Sequence, residues 1–285
     1  MFFVQSTIYN MMKTKRFCRI LGTMLLIGAF LCVVSCGSDE PSPEPPMPTP
    51  QSVPLLRTEL WKDGHAEYKY DDKRRLVSYV SYKGHAVERE ISYQYDDHHQ
   101  RIYSEMTDRV RIPESTLVYR DTLFLRESLV DSVSGVIQGH TVYHFKMQYN
   151  RNRQLIRVDV ENKFMGTGNS LNEEHEYMWE QGDLKSFASR RQQKTVEHRN
   201  YVYTLLSAYP QFTIPSPNGS LYPLQQSGYL GLLPKHLPYS EDVLSAGLNQ
   251  STTYEYSIEE GVVRQCSVYL SPEVAISSVT YEWEE

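Results

Sequence analysis

The stretch Tyr143-His-Phe-Lys-Met-Gln-Tyr149 alternates strictly between an apolar or aromatic side chain and a polar one. Successive side chains of a β-strand point to opposite faces, so this period of two places Phe145 and Met147 on one face and Lys146 on the other. The same alternation recurs along the chain, at Tyr68–Tyr70, Ile91–Tyr95, His175–Trp179, Tyr254–Ile258 and Val279–Trp283. The pattern is typical of half-buried antiparallel strands, with a buried tyrosine-rich face.

The aromatic strands run into short turns rich in Asp, Asn or Gly. Tyr68-Lys-Tyr-Asp-Asp72 leads to a new strand at Leu76, and Tyr93-Gln-Tyr-Asp-Asp97 leads to one at Ile102. Asp and Asn hydrogen-bond to the backbone of their own turn, and Gly adopts positive φ freely. We therefore predict repeated β-hairpins. The paired aspartates are interpreted as turn residues rather than as catalytic or calcium-binding carboxylates.

These features predict an all-β fold for residues 55–285. We expect one domain, an antiparallel meander of about ten to twelve strands that forms a curled open sheet or a small barrel. No segment has a long helical stripe of apolar residues. An irregular Pro-rich insertion over residues 205–250 interrupts the hairpin rhythm.

Two interpretations of this insertion remain open. In the first, Tyr229, Leu230, Leu232 and Leu233 cap the open end of the sheet. In the second, the insertion is a binding loop in which Tyr222 and Tyr229 stack on a ligand such as a flat sugar ring, since long irregular segments of compact domains are often functional.

The amino-terminal 35 residues have the pattern of a signal peptide. An apolar run, Ile20–Val34, follows four basic residues, and Met11 or Met12 makes a suitable start. The run ends in Val33-Val-Ser-Cys36, which resembles the bacterial lipobox. That resemblance implies cleavage before Cys36 and acylation of Cys36 by chains such as palmitate, which would anchor the protein stably. Residues 36–54, acidic at first and then rich in proline, are predicted to be an extended tether.

The order of these features is similar to that of a family of exported bacterial lipoproteins of unknown function with a porin-like fold. It comprises the lipobox, the tether, the hairpins, the stretch Ser227-Gly-Tyr-Leu-Gly-Leu-Leu-Pro-Lys-His-Leu-Pro238 and a final Tyr-Glu-Tyr hairpin. The hairpins resemble the YD-type motif of Rhs-like shell proteins, although the early copies lack the usual Gly before Arg-Leu. The resemblance implies a fold and an outer-membrane address but no activity.

Sorting and charge refine this address. By analogy with Gram-negative lipoproteins, Gly37 favours the outer membrane, and Asp39-Glu40 resembles tags for export to the cell surface. The strands carry charged residues without a continuous apolar band, so we do not interpret the fold as a membrane pore. Residues 36–285 hold 25 Lys and Arg against 35 Asp and Glu, a net charge near −10. This charge argues against nucleic-acid partners.

No catalytic, metal or cofactor motif emerges from the sequence. The histidine pairs His98-His99 and His140/His144 lie in a turn and a strand, where their spacing does not suit a metal. Cys266, left alone in the mature chain, is predicted to be a buried small hydrophobe.

We therefore expect a non-enzymatic lipoprotein that binds a glycan or a protein. The alternative is a structural or assembly component that contacts envelope proteins through sheet edges and has no small ligand. A glycan hydrolase would require two facing carboxylates.

Overall fold

The computed structural model describes residues 54–109, 116–137, 141–164, 170–208, 212–216, 218–245, 247–271 and 274–284. The chain divides into two units, Met1–Met47 and Pro48–Glu285. The predicted signal peptide, Cys36 and the tether as far as residue 53 lie outside the described residues. Among the described residues there is no helix long and apolar enough to cross a membrane.

The described residues form sixteen strands and one short 3₁₀ turn, Gln225–Ser227. Each strand pairs antiparallel with the strands that precede and follow it in the chain. The first strand, β1, also pairs with the last, β16, so the sheet closes into a barrel. The strands are β1 (Leu56–Trp61), β2 (Gly64–Tyr70), β3 (Leu76–Lys83), β4 (Ala86–Asp96), β5 (Arg101–Asp108), β6 (Leu117–Arg126), β7 (Leu129–Ile137), β8 (Thr141–Tyr149), β9 (Leu155–Phe164), β10 (Ser170–Glu180), β11 (Asp183–Arg191), β12 (Lys194–Tyr203), β13 (Pro238–Ser245), β14 (Leu248–Glu259), β15 (Val262–Ser271) and β16 (Val274–Trp283).

The predicted antiparallel meander is confirmed, but the predicted ten to twelve strands and the curled open sheet are wrong. β13, for example, was not anticipated, because its sequence lacks the alternating aromatic pattern. Closure depends on pairs such as Glu59 with Tyr281, which lie at opposite ends of the domain sequence. No local pattern specifies such a pairing, because the hydrogen bonds that close the sheet join backbone groups.

The predicted irregular insertion over residues 205–250 is wrong beyond residue 237, because its last part forms β13 and the start of β14 in the barrel wall. The irregular part lies inside the barrel. We call residues 204–237 the plug segment; its residues 209–211 and 217 are not described. Five of its apolar side chains belong to the same buried core as the inward-facing side chains of the wall, namely Ile214, Leu221, Leu224, Leu230 and Leu233. A barrel of sixteen strands encloses more space than wall side chains fill. The plug segment occupies part of that space.

The predicted hairpin turns are present. In the β2–β3 turn the carboxylate of Asp71 accepts hydrogen bonds from the backbone N–H groups of Lys73 and Arg75, at 3.0 and 2.8 Å. The side chain of Asn150 does the same in the β8–β9 turn. Because the strands run up and down, these turns share one end of the barrel with Pro54 and with both ends of the plug segment. We call it the plug end.

Candidate functional site

A row of side chains, all of them polar except Phe124, crosses the outer face of strands β6–β11. Direct cross-strand pairing brings each member beside the next. The row runs through Phe124, Ser132, Lys146, Asp159, Glu174 and Arg190. A second row beside it holds Thr122, Ser134, His144, Glu161 and Asn172. The inward-facing side chains of the same strands, such as Phe145 and Phe187, are buried in the core.

Arginines hold the carboxylates in the centre of these rows. Arg157 donates from Nε to Asp159 at 2.8 Å and from Nη2 to Glu174 at 2.9 Å. Arg190 Nη1 lies 2.7 Å from a carboxylate oxygen of Glu176. The hydrogen bond to Asp159 raises the pKa of Arg157, and desolvation together with neighbouring Glu176 raises the pKa of Glu174. The outer face therefore carries an alternating charge network.

The wall is hollowed where these rows lie. The hollow, which we call the outer groove, has a volume of about 1000 Å³ and extends from Phe124 and Arg126 to the β11–β12 turn at Gln192 and Gln193. Five inter-strand spacings separate β6 from β11, roughly 24 Å along the wall. Lys146 is exposed in its centre, and Arg101 covers the ring of Phe124 with its guanidinium carbon 5.2 Å from the ring centroid.

The plug segment is fixed to the wall by buried Asp121. Its carboxylate accepts hydrogen bonds from Ser220 Oγ at 2.5 Å, from Asn218 Nδ2 at 3.2 Å and from the hydroxyl of Tyr143. Burial raises the pKa of Asp121, and these donors act in the opposite direction. Tyr93 adds a hydrogen bond to the Ser220 carbonyl at 2.6 Å. The contacts make the plug segment a fixed part of the interior.

The structure places Tyr222 inside the barrel. Its side chain is 39 % accessible, yet it lines a cavity of about 190 Å³ between the plug segment and the wall. We call this space the interior cavity. Burial and the charge of Glu59 raise the pKa of Tyr222, with the electrostatic effect of Glu59 the larger cause.

Tyr229 lies at the plug end. Its ring packs against that of Tyr95, with centroids 5.9 Å apart, and its carbonyl accepts a hydrogen bond from Val130 N at 2.8 Å. Burial raises the pKa of its hydroxyl, and Arg75 lowers it. Tyr222 thus lines the cavity, whereas Tyr229 packs against Tyr95 of the barrel wall at the plug end.

Cys266 is buried, as predicted, at 7 % exposure. Burial raises the pKa of its thiol to about 12. Within the described ranges, no cluster of three His, Cys, Asp or Glu side chains is arranged to hold a metal ion.

Sequence reasoning interpreted the charged strand face only as the unburied side of half-buried strands, and it missed both the outer groove and Glu59. A local indication existed for Glu59. Glu59 lies two residues before Trp61 in β1, so both side chains point to the inner face of the barrel. A charged residue therefore occupies a position on the apolar face. The outer groove had no local indication, because it is formed by pairing across six strands.

No protein-family model and no curated protein matches this sequence. Two solved structures are similar in fold. A porin-like protein from Bacteroides uniformis has a TM-score of 0.56 at 15% identity, over 80% of this chain and 96% of that one. A porin-like protein from Bacteroides vulgatus has a TM-score of 0.57 at 9% identity, over 80% and 98%. At these identities the likeness establishes that the chain has the β-barrel fold of porin-like proteins.

Proposed function

We propose that this protein is a non-enzymatic lipoprotein of the outer membrane that binds a glycan in the outer groove. Acyl chains on Cys36 would hold the barrel at the membrane, on the cell surface as Asp39-Glu40 suggest. The lipobox-like sequence supports the anchor, and the porin-like barrel is consistent with an outer-membrane address. The alternative is that the same domain binds a protein instead of a glycan.

The charged side chains of the outer face support the proposal that the barrel lies outside the lipid bilayer. Ion pairs lie in mid-strand on this face, including Arg120 with Glu105 at 2.7 Å and Arg157 with Asp159 at 2.8 Å. A lipid-facing Arg or Lys costs about 2–4 kcal/mol near the bilayer midplane. A wall with several such groups is better suited to water, which leaves the anchoring to Cys36.

The outer groove is the observation that carries the glycan proposal. Sugar hydroxyls both donate and accept hydrogen bonds, so they pair with donors such as Lys146 and with acceptors such as Glu161. The outer groove presents both kinds in two parallel rows along roughly 24 Å of wall. Phe124 lines one end, where the guanidinium of Arg101 covers its ring. The open shape of the outer groove suits a chain of sugars better than a compact ligand.

The arrangement of the acids supports binding rather than hydrolysis. Glycosidases place two carboxylates on either side of the scissile bond. Asp159 and Glu174 instead stand side by side on one face, and Arg157 donates to both of them. For the alternative assembly role, the closed barrel offers side chains of its outer wall as contacts rather than sheet edges.

The test is binding of the full-length protein to a panel of polysaccharides by native-gel retardation. We expect retardation by at least one glycan and a loss of about tenfold in affinity for Lys146→Ala. Lys69→Ala, an exposed lysine of β2, is the matched control and should bind as the wild type. If Lys146→Ala binds as tightly as the wild type, the outer groove is refuted as the site. If none of the polysaccharides retards the protein, the glycan proposal is refuted.

The remaining parts of the proposal have separate readouts. Cys36→Ser should release the protein from the outer-membrane fraction, and its retention there would refute acyl anchoring. Release of shorter sugars from a retarding glycan would refute the non-enzymatic proposal, and Glu174→Gln would then identify the acid responsible. Cross-linking to one abundant envelope protein, with no glycan retarded, would favour the protein ligand or the assembly role.

A further inference from the structure

The interior cavity that Tyr222 lines is large enough for one small ligand. It lies between the plug segment and strands β1, β2 and β14–β16, with a volume of about 190 Å³. An apolar cavity of roughly 150 Å³ holds one benzene molecule. The interior cavity therefore admits a ligand of about that size.

Aromatic rings dominate the described lining of the interior cavity. They belong to Tyr68, Phe212, Tyr222, Tyr254, Tyr256 and Tyr281. Several of the hydroxyls are already engaged elsewhere. The Tyr254 hydroxyl donates to Glu241 at 2.7 Å, and the Tyr256 hydroxyl donates to the Pro238 carbonyl at 3.0 Å. Ring carbons rather than hydroxyls are thus the main surface that these two residues offer a ligand.

Glu59 is the one acidic side chain among the described lining residues, and no lysine or arginine is among them. Its carboxyl hydrogen-bonds with Tyr68, but burial still raises its pKa from 4.5 to about 7. A carboxylate in an apolar site without a cation is costly. The interior cavity therefore combines an aromatic wall with a carboxylate that lacks a counter-charge there.

We propose that the interior cavity binds a small organic ammonium ion, with Glu59 as its counter-charge and the tyrosine rings in contact with its alkyl groups. Aromatic rings attract cations through their quadrupole, and cages of such rings recognise quaternary ammonium groups. The ligand neutralises the charge that the barrel leaves unpaired. This site is independent of the outer groove.

Binding should depend on pH through Glu59 alone. The other titratable groups that face Glu59 are Tyr68 on β2, Tyr79 on β3, Tyr222 in the plug segment, Tyr254 and Tyr256 on β14, Cys266 on β15 and Tyr281 on β16. Every one of them has a pKa raised above its ordinary value. Among these groups, only Glu59 changes charge between pH 6 and 8. The cation requires the ionised form, so its binding releases the proton and strengthens as pH rises.

The test is isothermal titration of the full-length protein with choline and with its neutral isostere 3,3-dimethyl-1-butanol. At pH 8 we expect choline to bind at least tenfold more tightly than the isostere. Choline should bind about tenfold more weakly at pH 6 than at pH 8, whereas the affinity for the isostere should not change. Equal affinities for the two compounds, or no binding of choline, would overturn the proposal.

Three variants separate the role of the charge from that of the rings. Glu59→Gln should abolish the preference for choline and its pH dependence, and Tyr222→Leu should weaken choline binding about tenfold, whereas Tyr222→Phe keeps the ring and the affinity. Urea midpoints establish that each variant is folded. Choline binding that persists in folded Glu59→Gln would overturn the assignment of the counter-charge. Glycan retardation should be unchanged in all three variants, which separates this test from that of the outer groove.

Discussion

Glu59→Gln should stabilise the barrel, and the gain should grow with pH. Burial raises the pKa of Glu59 from 4.5 to about 7. Between these values the folded protein keeps a proton that the unfolded chain has lost, so the free energy of unfolding falls as pH rises. At 1.36 kcal/mol per pH unit the loss is about 3 kcal/mol above pH 7. Glutamine is neutral throughout and removes this loss.

The assay is urea denaturation of the full-length protein at pH 5, 6, 7 and 8, followed by tryptophan fluorescence. The free energy of unfolding of Glu59→Gln minus that of the wild type should rise from below 1 kcal/mol at pH 5 to about 3 kcal/mol at pH 8. Other carboxylates titrate alike in both proteins, so the difference isolates Glu59.

Glu282→Gln is the matched control for this experiment. Glu282 lies on neighbouring β16 and is exposed on the outer face. Its variant should differ from the wild type by less than about 0.5 kcal/mol at every pH. A difference for Glu59→Gln that stays flat with pH, or that falls as pH rises, would refute the reasoning that Glu59 is desolvated in the interior cavity.

The remaining predictions concern how the plug segment is held. Asp121→Ala leaves buried donors without their acceptor and should lower the free energy of unfolding by about 3 kcal/mol, measured by urea denaturation at pH 7. Leu224→Ala, at a fully buried position, should lower the melting temperature through a loss of about 3 kcal/mol, whereas Leu232→Ala, at 45 % exposure, should lose less than about 1 kcal/mol; equal losses would contradict the buried plug segment. Gly231 and Gly228 both have positive φ, but only a Cβ on Gly231 would meet a backbone carbonyl oxygen of the β8–β9 turn, at 2.2 Å. Hydrogen exchange should therefore detect a looser plug segment in Gly231→Ala than in Gly228→Ala, by about 1–3 kcal/mol.

Local sequence features predicted the class of the fold because side-chain alternation is a local property of a strand. Tyr143, Phe145 and Met147 face the core as their period of two required. The turns could be predicted equally well, since Asp71 and Asn150 hydrogen-bond to the backbone of their own turns. Neither kind of feature depends on distant residues.

The surroundings of the candidate site residues could not be predicted from the sequence in the same way. The proline-rich plug segment was recognised as irregular, and Tyr222 and Tyr229 were singled out in it. Their surroundings depend on which wall strands they meet, and those contacts are long-range. Tyr222 lines a cavity with Glu59 and Tyr281, which come from opposite ends of the domain.

By itself the sequence determined an antiparallel β domain with aspartate and asparagine turns, because these patterns act over a few residues. Only the tertiary structure decided the number of strands, the closure of the barrel and the inward course of the plug segment. Closure pairs β1 with β16 through backbone hydrogen bonds, which any sequence of suitable strands can form. The interior cavity follows from that closure, because β1 and β2 line it together with β14–β16. The outer groove follows from the pairing of β6–β11 with one another, which is also a tertiary feature.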